Sequence, residues 1–354
     1  MILILLFLFT QKLFGQKLKM EIDSISKIHF TDSSNVGLSI GVIENGKISK
    51  YYYGGKYTHQ IKDVDSTTLF EIGSVTKLYT AFILASLETE KKIKRVDLLS
   101  KYLPKDIVKG KEWANQIRLI DLATHTSGLP EFDNTKSLSN LKGFDENNPY
   151  VIFTEDFMMS VLKNTDSLQN YGKVRYSNFG IGVLAYAMSK SEKTSFDLLF
   201  KKYVTNKLNL KSTFLKVEEN QITNIAIPHR EKEVMPLIQL AELSPAGSIK
   251  TTMSDLLNFL NIHLKKENKE LKDIVEMVLK NQLENQAQAV GLGWGIHQIN
   301  NHTIYFHNGG TYGSSSIVIL IPSKNAAVAI LANNADTKLT SYALKLANKI
   351  IAKK

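Results

Sequence analysis

Phe70-Glu71-Ile72-Gly73-Ser74-Val75-Thr76-Lys77 runs into a block that is apolar nearly all round: Val75, Leu78, Tyr79, Ala81, Phe82, Ile83, Leu84, Ala85 and Leu87. A helix with apolar residues on every side is buried in a large core. Ser74 and Lys77 are three apart at its start, so they share a face and the amine reaches the hydroxyl. A serine hydroxyl is a poor nucleophile until a base takes its proton. A lysine on the first turn of a buried helix carries a desolvation cost unless it has a partner or a task. The plainer reading makes Ser74 a helix N-cap and lets Lys77 snorkel to water. The local sequence leaves both open.

Ser-x-x-Lys occurs three more times, at Ser24/Lys27, Ser139/Lys142 and Ser160/Lys163. Ser24 follows the N-terminal apolar run and Ser139 lies in a polar loop. Ser160 is expected on an amphipathic helix, where the pair can simply face water. Two further segments bear on Ser74. Tyr176-Ser177-Asn178 precedes a second apolar block, Phe179 to Met188. It reads either as a helix cap with a packing tyrosine or as a phenol whose pKa a neighbouring Lys77 ammonium lowers. His307-Asn308-Gly309-Gly310 reads either as a glycine-rich turn or as a backbone that approaches a substrate and aims N–H groups at it.

Strand patterns lie at both chain ends. Asn35 to Ile43 and Ile48 to Tyr53 flank Glu44-Asn45-Gly46, and Gly54-Gly55 is expected to end that hairpin. Gly293 to Ile299 and His302 to Phe306 flank Asn300-Asn301; Ser316 to Ile321 and Ala326 to Leu331 flank Pro322-Ser323-Lys324-Asn325. Residues 100 to 290 are helix-rich, with a further helix expected over Asp255 to Leu264. Ala343, Leu344, Leu346, Ala347, Ile350 and Ile351 mark an amphipathic helix that covers a sheet. The expected fold is α/β (α+β): an antiparallel sheet built from both chain ends, flanked by helices, with a mainly helical insertion. The division reads as a signal peptide over 1–16, a split sheet domain over 17–100 and 290–354, and a helical domain over 101–289.

The 354 residues are 43% hydrophobic and 22% charged, which excludes a disordered polymer and a multi-span membrane protein. The absence of cysteine excludes a disulfide framework, a cysteine zinc site and a thiol nucleophile. The net charge of +10 is spread along the chain and reads as a solvated surface, with no nucleic acid partner. There is no G-x-S-x-G, H-E-x-x-H, G-x-x-x-x-G-K or G-x-G-x-x-G. Met1 to Phe9 is unbroken and apolar, long enough for a signal-peptide core and too short to span a bilayer. Cleavage near Gly15 or Gln16 is expected, with a periplasmic or secreted product and no membrane span after processing.

The order Ser74-Val75-Thr76-Lys77, Tyr176-Ser177-Asn178, His307-Asn308-Gly309 resembles the serine β-lactamase/penicillin-binding-protein superfamily. The likeness is to its class C β-lactamase and D-stereospecific peptidase/esterase side. Thr124 to Pro130, Ser244 to Ser248 and Gly291 to Gly295 extend the resemblance, which covers about Gly37 to Asn333. It implies a β-lactamase/transpeptidase-like fold and a serine hydrolase that forms an acyl-enzyme on an amide or ester. Ser74 is then the nucleophile, and Lys77 and Tyr176 share the acid and base duty. Asn178 positions Lys77 and the substrate, and the N–H groups of Ser74 and Gly310 form the oxyanion hole. His307 and Gly309 also border the substrate, which is a small molecule or peptide, including cell-wall-derived ones. No metal or cofactor is implied. Family β-lactamases and transpeptidases carry lysine where His307 stands. A neutral imidazole there weakens recognition of penicillins and of carboxylate-ended peptides. The rivals are a true class C-type β-lactamase, a sensor that acylates without turnover, and a silent scaffold. His125 reads as structural, and substrate choice is assigned to the loops 135–149 and 221–240.

Overall fold

Turn residues set the register of the sheet. In the computed structural model, which describes residues 2–353 apart from 58–59, 133–137, 147, 266–268, 285–286 and 337, strands β1 (Gly37–Glu44) and β2 (Lys47–Tyr57) form the first hairpin. Asn45 and Gly46 both have positive φ, 50° and 79°, as a tight two-residue hairpin turn requires. The second strand does not stop at Gly54-Gly55. Gly54 takes φ +70°, which bends the strand, and pairing resumes beyond it with β3 (Gln60–Asp63). A glycine inside a strand marks a bend or bulge as readily as an end.

The other chain end supplies β4 (Gly295–Ile299), β5 (His302–Gly310), β6 (Ser315–Ile321) and β7 (Ala326–Ala332). Asn300 and Asn301 join β4 to β5 with φ 46° and 64°. The seven strands pair antiparallel in the order β3-β2-β1-β7-β6-β5-β4. β1 and β7 close the sheet across the two halves of the sequence, with Val42 opposite Val328.

Alternation along the strands feeds two cores. Leu38, Ile40, Val42, Ile319 and Ile330 pack against α1 (Ile2–His29), through Leu18, Ile22 and Ile25, and against the C-terminal helix, through Ala343, Leu346 and Ile350. The expected boundary at residue 16 falls inside α1. Ile43, Val318, Leu320, Ala329 and Leu331 face the opposite, larger core. That core is filled by α2 (Thr76–Thr89), α3 (Asn178–Glu192) and α4 (Met253–Ile262). α2 is buried from Thr76 through Leu87, as its all-round apolar pattern demands. Among the described residues no helix is long and apolar enough to cross a membrane. Of the loop 135–149, residues 135–137 and 147 lie outside the described set. The loop 221–240 carries a 3-10 turn (Glu219–Asn224) and a short hairpin, His229–Arg230 with Glu233–Val234.

Candidate active site

A short strand, Phe70–Glu71, ends at Ile72 and turns through Gly73 at φ +48° into a 3-10 turn, Gly73–Val75, that opens α2. Ser74 sits on this turn, and its side chain caps no helix; neither the turn nor α2 has a side-chain cap. The hydroxyl is instead held between two other groups. Lys77 Nζ donates to Ser74 Oγ at 3.0 Å, and Tyr176 Oη is in hydrogen-bond contact with the same oxygen. The Tyr176 ring lies 4.7 Å from Lys77 Nζ. Tyr176 is 40% exposed, and its hydroxyl meets Ser74 rather than lying in a core.

Lys77 is fully buried and does not snorkel. Besides Ser74, its ammonium donates to Asn178 Oδ1 at 2.8 Å and to the Ala246 carbonyl at 2.7 Å. An ammonium carries three donors, and Ser74 Oγ, Asn178 Oδ1 and the Ala246 carbonyl are acceptors around this one. The Ala246 carbonyl has no side-chain signature and was not legible in sequence. Thr80, one turn along α2, donates to the neighbouring Pro245 carbonyl at 2.7 Å, which fixes the Ser244–Gly247 turn against α2. Asn178 is the first residue of α3, and Ser177 is its N-cap, accepting from Gly180 N–H at 2.9 Å. The cap reading of Ser177 thus holds, and its neighbours Tyr176 and Asn178 lie against Ser74 and Lys77.

β5 lies against the Gly73–Val75 turn because Gly309 has no side chain. A Cβ there would collide with the Ile72 carbonyl and come within 2.9 Å of Ser74 N. A Cβ at Gly73 would lie 2.7 Å from Gly310 N. Both glycines are needed for the two backbones to touch. A buried carboxylate ties the same two segments together. Glu71, three residues before Ser74, accepts from Thr311 Oγ1 at 2.7 Å, next to Gly310. It also accepts from Ile238 N–H at 2.8 Å and pairs with Lys250 at 3.4 Å.

Two imidazoles complete the surroundings. His307 Nδ1 lies 2.6 Å from the Asn308 carbonyl; burial and the Lys77 charge hold its pKa down to about 4. His125 accepts from Ser177 N–H at Nδ1, 3.2 Å away, and its ring lies 4.7 Å from that of Tyr176. Burial, then Lys77 and His307, hold it down to about 3. His125 is structural in that it seats the Tyr176–Ser177 backbone. Both rings are neutral at pH 7. The remaining Ser-x-x-Lys pairs stay apart from this cluster. Ser160 and Lys163 face solvent on the helix Glu155–Asn164, Ser24 lies on α1, and Ser139 is exposed in its turn. A surface groove of about 780 Å³ beside Phe200, Leu210 and Leu215 holds none of the site residues.

Comparison with known proteins gives the family and the fold. The Beta-lactamase family model matches residues 16–349. A beta-lactamase of Pseudomonas fluorescens is 28% identical over 352 residues, covering 87% of this chain and 92% of that protein. Protein flp of Staphylococcus aureus (strain MRSA252) is 26% identical over 332 residues, covering 88% of this chain and 62% of that protein. A solved class C beta-lactamase superposes with a TM-score of 0.82 at 22% identity, over 95% of this chain and 96% of that one.

Proposed function

The chain belongs to the beta-lactamase family and is a serine hydrolase, and from that premise we propose that Ser74 acylates on an amide or ester substrate that lacks an obligatory carboxylate. The observation that carries this reading is the Ser74 hydroxyl held between Lys77 Nζ and Tyr176 Oη. Lys77 acts as a fixed cation, because its three donors are directed at three acceptors. Tyr176 accepts the Ser74 proton as Oγ attacks the carbonyl carbon, and returns it to the leaving oxygen or nitrogen. A phenolate is reachable near neutral pH only where a neighbouring cation stabilises it, and in the proposed mechanism that part falls to the Lys77 ammonium, 4.7 Å from the Tyr176 ring. The N–H groups of Ser74 and Gly310 receive the developing oxyanion, a task that contributes about 2.7–4 kcal/mol per donor in related sites. In the second half-reaction water takes the place of the leaving group and Tyr176 again accepts a proton.

His307 supports the neutral-substrate reading. Where family lactamases carry a lysine, this site presents an uncharged imidazole beside Lys77. The reading includes export. The Met1–Phe9 run has the length of a signal-peptide core, the family match begins at residue 16, and side chains from Leu18 onward pack on the sheet. N-terminal sequencing of protein from its own host should find a mature chain starting near residue 16; an intact Met1 in the cytosolic fraction rejects export. Turnover of p-nitrophenyl acetate tests the enzyme reading. Sustained release of p-nitrophenol that Ser74→Ala abolishes supports a hydrolase. A burst of one equivalent with no steady state supports a sensor.

A further inference from the structure

A cavity of about 210 Å³ lies beside Tyr176, which forms part of its wall, between the Ala123–His125 segment and strands β4 and β5. His125, Tyr176, Trp294, Phe306, His307 and Asn308 are among its lining residues. Its two imidazoles are fixed in opposite tautomers. The Asn308 carbonyl only accepts, so His307 donates from Nδ1 and keeps a lone pair on Nε2. The Ser177 N–H only donates, so His125 accepts at Nδ1 and carries its proton on Nε2. The wall therefore holds one imidazole acceptor and one imidazole donor on an otherwise largely apolar lining. Burial, and after it the Lys77 charge, opposes protonation of both rings, which keeps the pair in this state.

We infer that this cavity is the subsite for the leaving-group side of the substrate, and that it takes an uncharged group carrying both a donor and an acceptor, a carboxamide in preference to a carboxylate. The inference deepens the proposed function and rests on it. Tyr176 must return its proton to the leaving atom, so whatever that atom carries extends along the wall that Tyr176 forms. A carboxamide gives its N–H to His307 Nε2 and receives the His125 Nε2–H at its oxygen. A carboxylate offers acceptors only and leaves its charge facing the His307 lone pair. A site built for hydrogen bonding discriminates strongly against a ligand that leaves its polar groups unmatched.

Two measurements test this. The first compares kcat/KM for 3-acetoxybenzamide and 3-acetoxybenzoate at pH 7, each divided by its hydroxide-catalysed rate. The wild type should favour the amide-bearing ester by about tenfold or more, and His307→Lys should reverse the order. Equal ratios in the wild type, with acetyl found on the Ser74 peptide, overturn the subsite and leave the proposed function standing. No acetyl on Ser74 overturns the proposed function itself. The second measurement needs no turnover. In Ser74→Ala protein, benzamide should shift the His125 and His307 imidazole resonances, and benzoate should not. Shifts with both compounds, or with neither, overturn the inference whatever the kinetics give.

Discussion

At the scale of single residues, the proposed mechanism divides one task between Lys77 and Tyr176. Tyr176→Phe keeps the ring over Lys77 and removes only the oxygen that meets Ser74, so it should lower kcat/KM by about 10²–10⁴ with the fold intact. Adding Lys77→Ala should cost little more than the worse single change, because the two act as a unit. Full activity of Tyr176→Phe across the pH range makes the tyrosine a packing residue. His307 sets a second expectation. Its pKa of about 4 leaves it neutral above about pH 5, so activity on a neutral ester should not follow its titration between pH 5 and 8. Any activity on penicillins should rise only as pH falls toward 4. His307→Lys should raise the penicillin-to-ester ratio about ten- to a hundredfold through a charge-assisted hydrogen bond. An unchanged ratio removes His307 from contact with the substrate carboxylate. Ser74, Lys77, Tyr176 and Asn178 could be singled out in sequence by the order of their motifs and the resemblance it carries, while the local patterns alone left cap and packing readings open; the structure brings the four together. The Ala246 carbonyl was not legible, since any residue supplies one, and the low pKa of His307 depends on burial that no local pattern encodes.

At the scale of elements, the site depends on β5 staying pressed to the Gly73–Val75 turn, and Glu71 spans that junction. Its pair with Lys250 is almost dry, with side-chain exposures of 0% and 6%. Removing one partner of a buried pair leaves an uncompensated charge. Glu71→Gln should therefore destabilise by about 3–5 kcal/mol, read from urea unfolding. Adding Lys250→Met should recover most of that loss, since an apolar side chain suits the vacated space better than a stranded ammonium. A double variant as unstable as the single one means that the carboxylate acts through Thr311 and Ile238 rather than through the pair. The helices over α2 and α3 and the Asn45-Gly46 and Asn300-Asn301 turns were legible, because periodicity and positive-φ residues act locally. The continuation of β2 past Gly54 was not. It depends on pairing with β3, and a glycine pair carries the same letters whether it ends a strand or bends one.

At the scale of the molecule, histidines kept neutral in the fold among the described residues include His125 at about 3, His263 at about 4 and His307 at about 4. Each is shifted below its unfolded value of about 6.5. Above that value neither state binds the proton and stability is unaffected. Between about pH 6.5 and 4 the unfolded chain takes up protons that the native chain refuses, so stability falls as pH falls. Three such groups give a slope approaching about 4 kcal/mol per pH unit. His263 lies away from the site, stacked edge-on to Phe259 and Trp294, so His263→Phe should flatten that slope by about a third without touching the chemistry. An unchanged slope in urea midpoints between pH 7 and 5 contradicts it. The sheet closed from both chain ends was legible as strands at either end with helices between; the pairing of β1 with β7 follows from the buried apolar runs Leu38 to Ile43 and Ala326 to Ala332, each too hydrophobic for a sheet edge. The central claim is that one serine in the whole chain becomes acylated, although four stand in Ser-x-x-Lys. The direct measurement is to label the protein with a fluorophosphonate, digest it and weigh all four peptides. One adduct per chain on the Ser74 peptide is the expected result. An adduct on Ser24, Ser139 or Ser160, with the Ser74 peptide unmodified, would contradict the account.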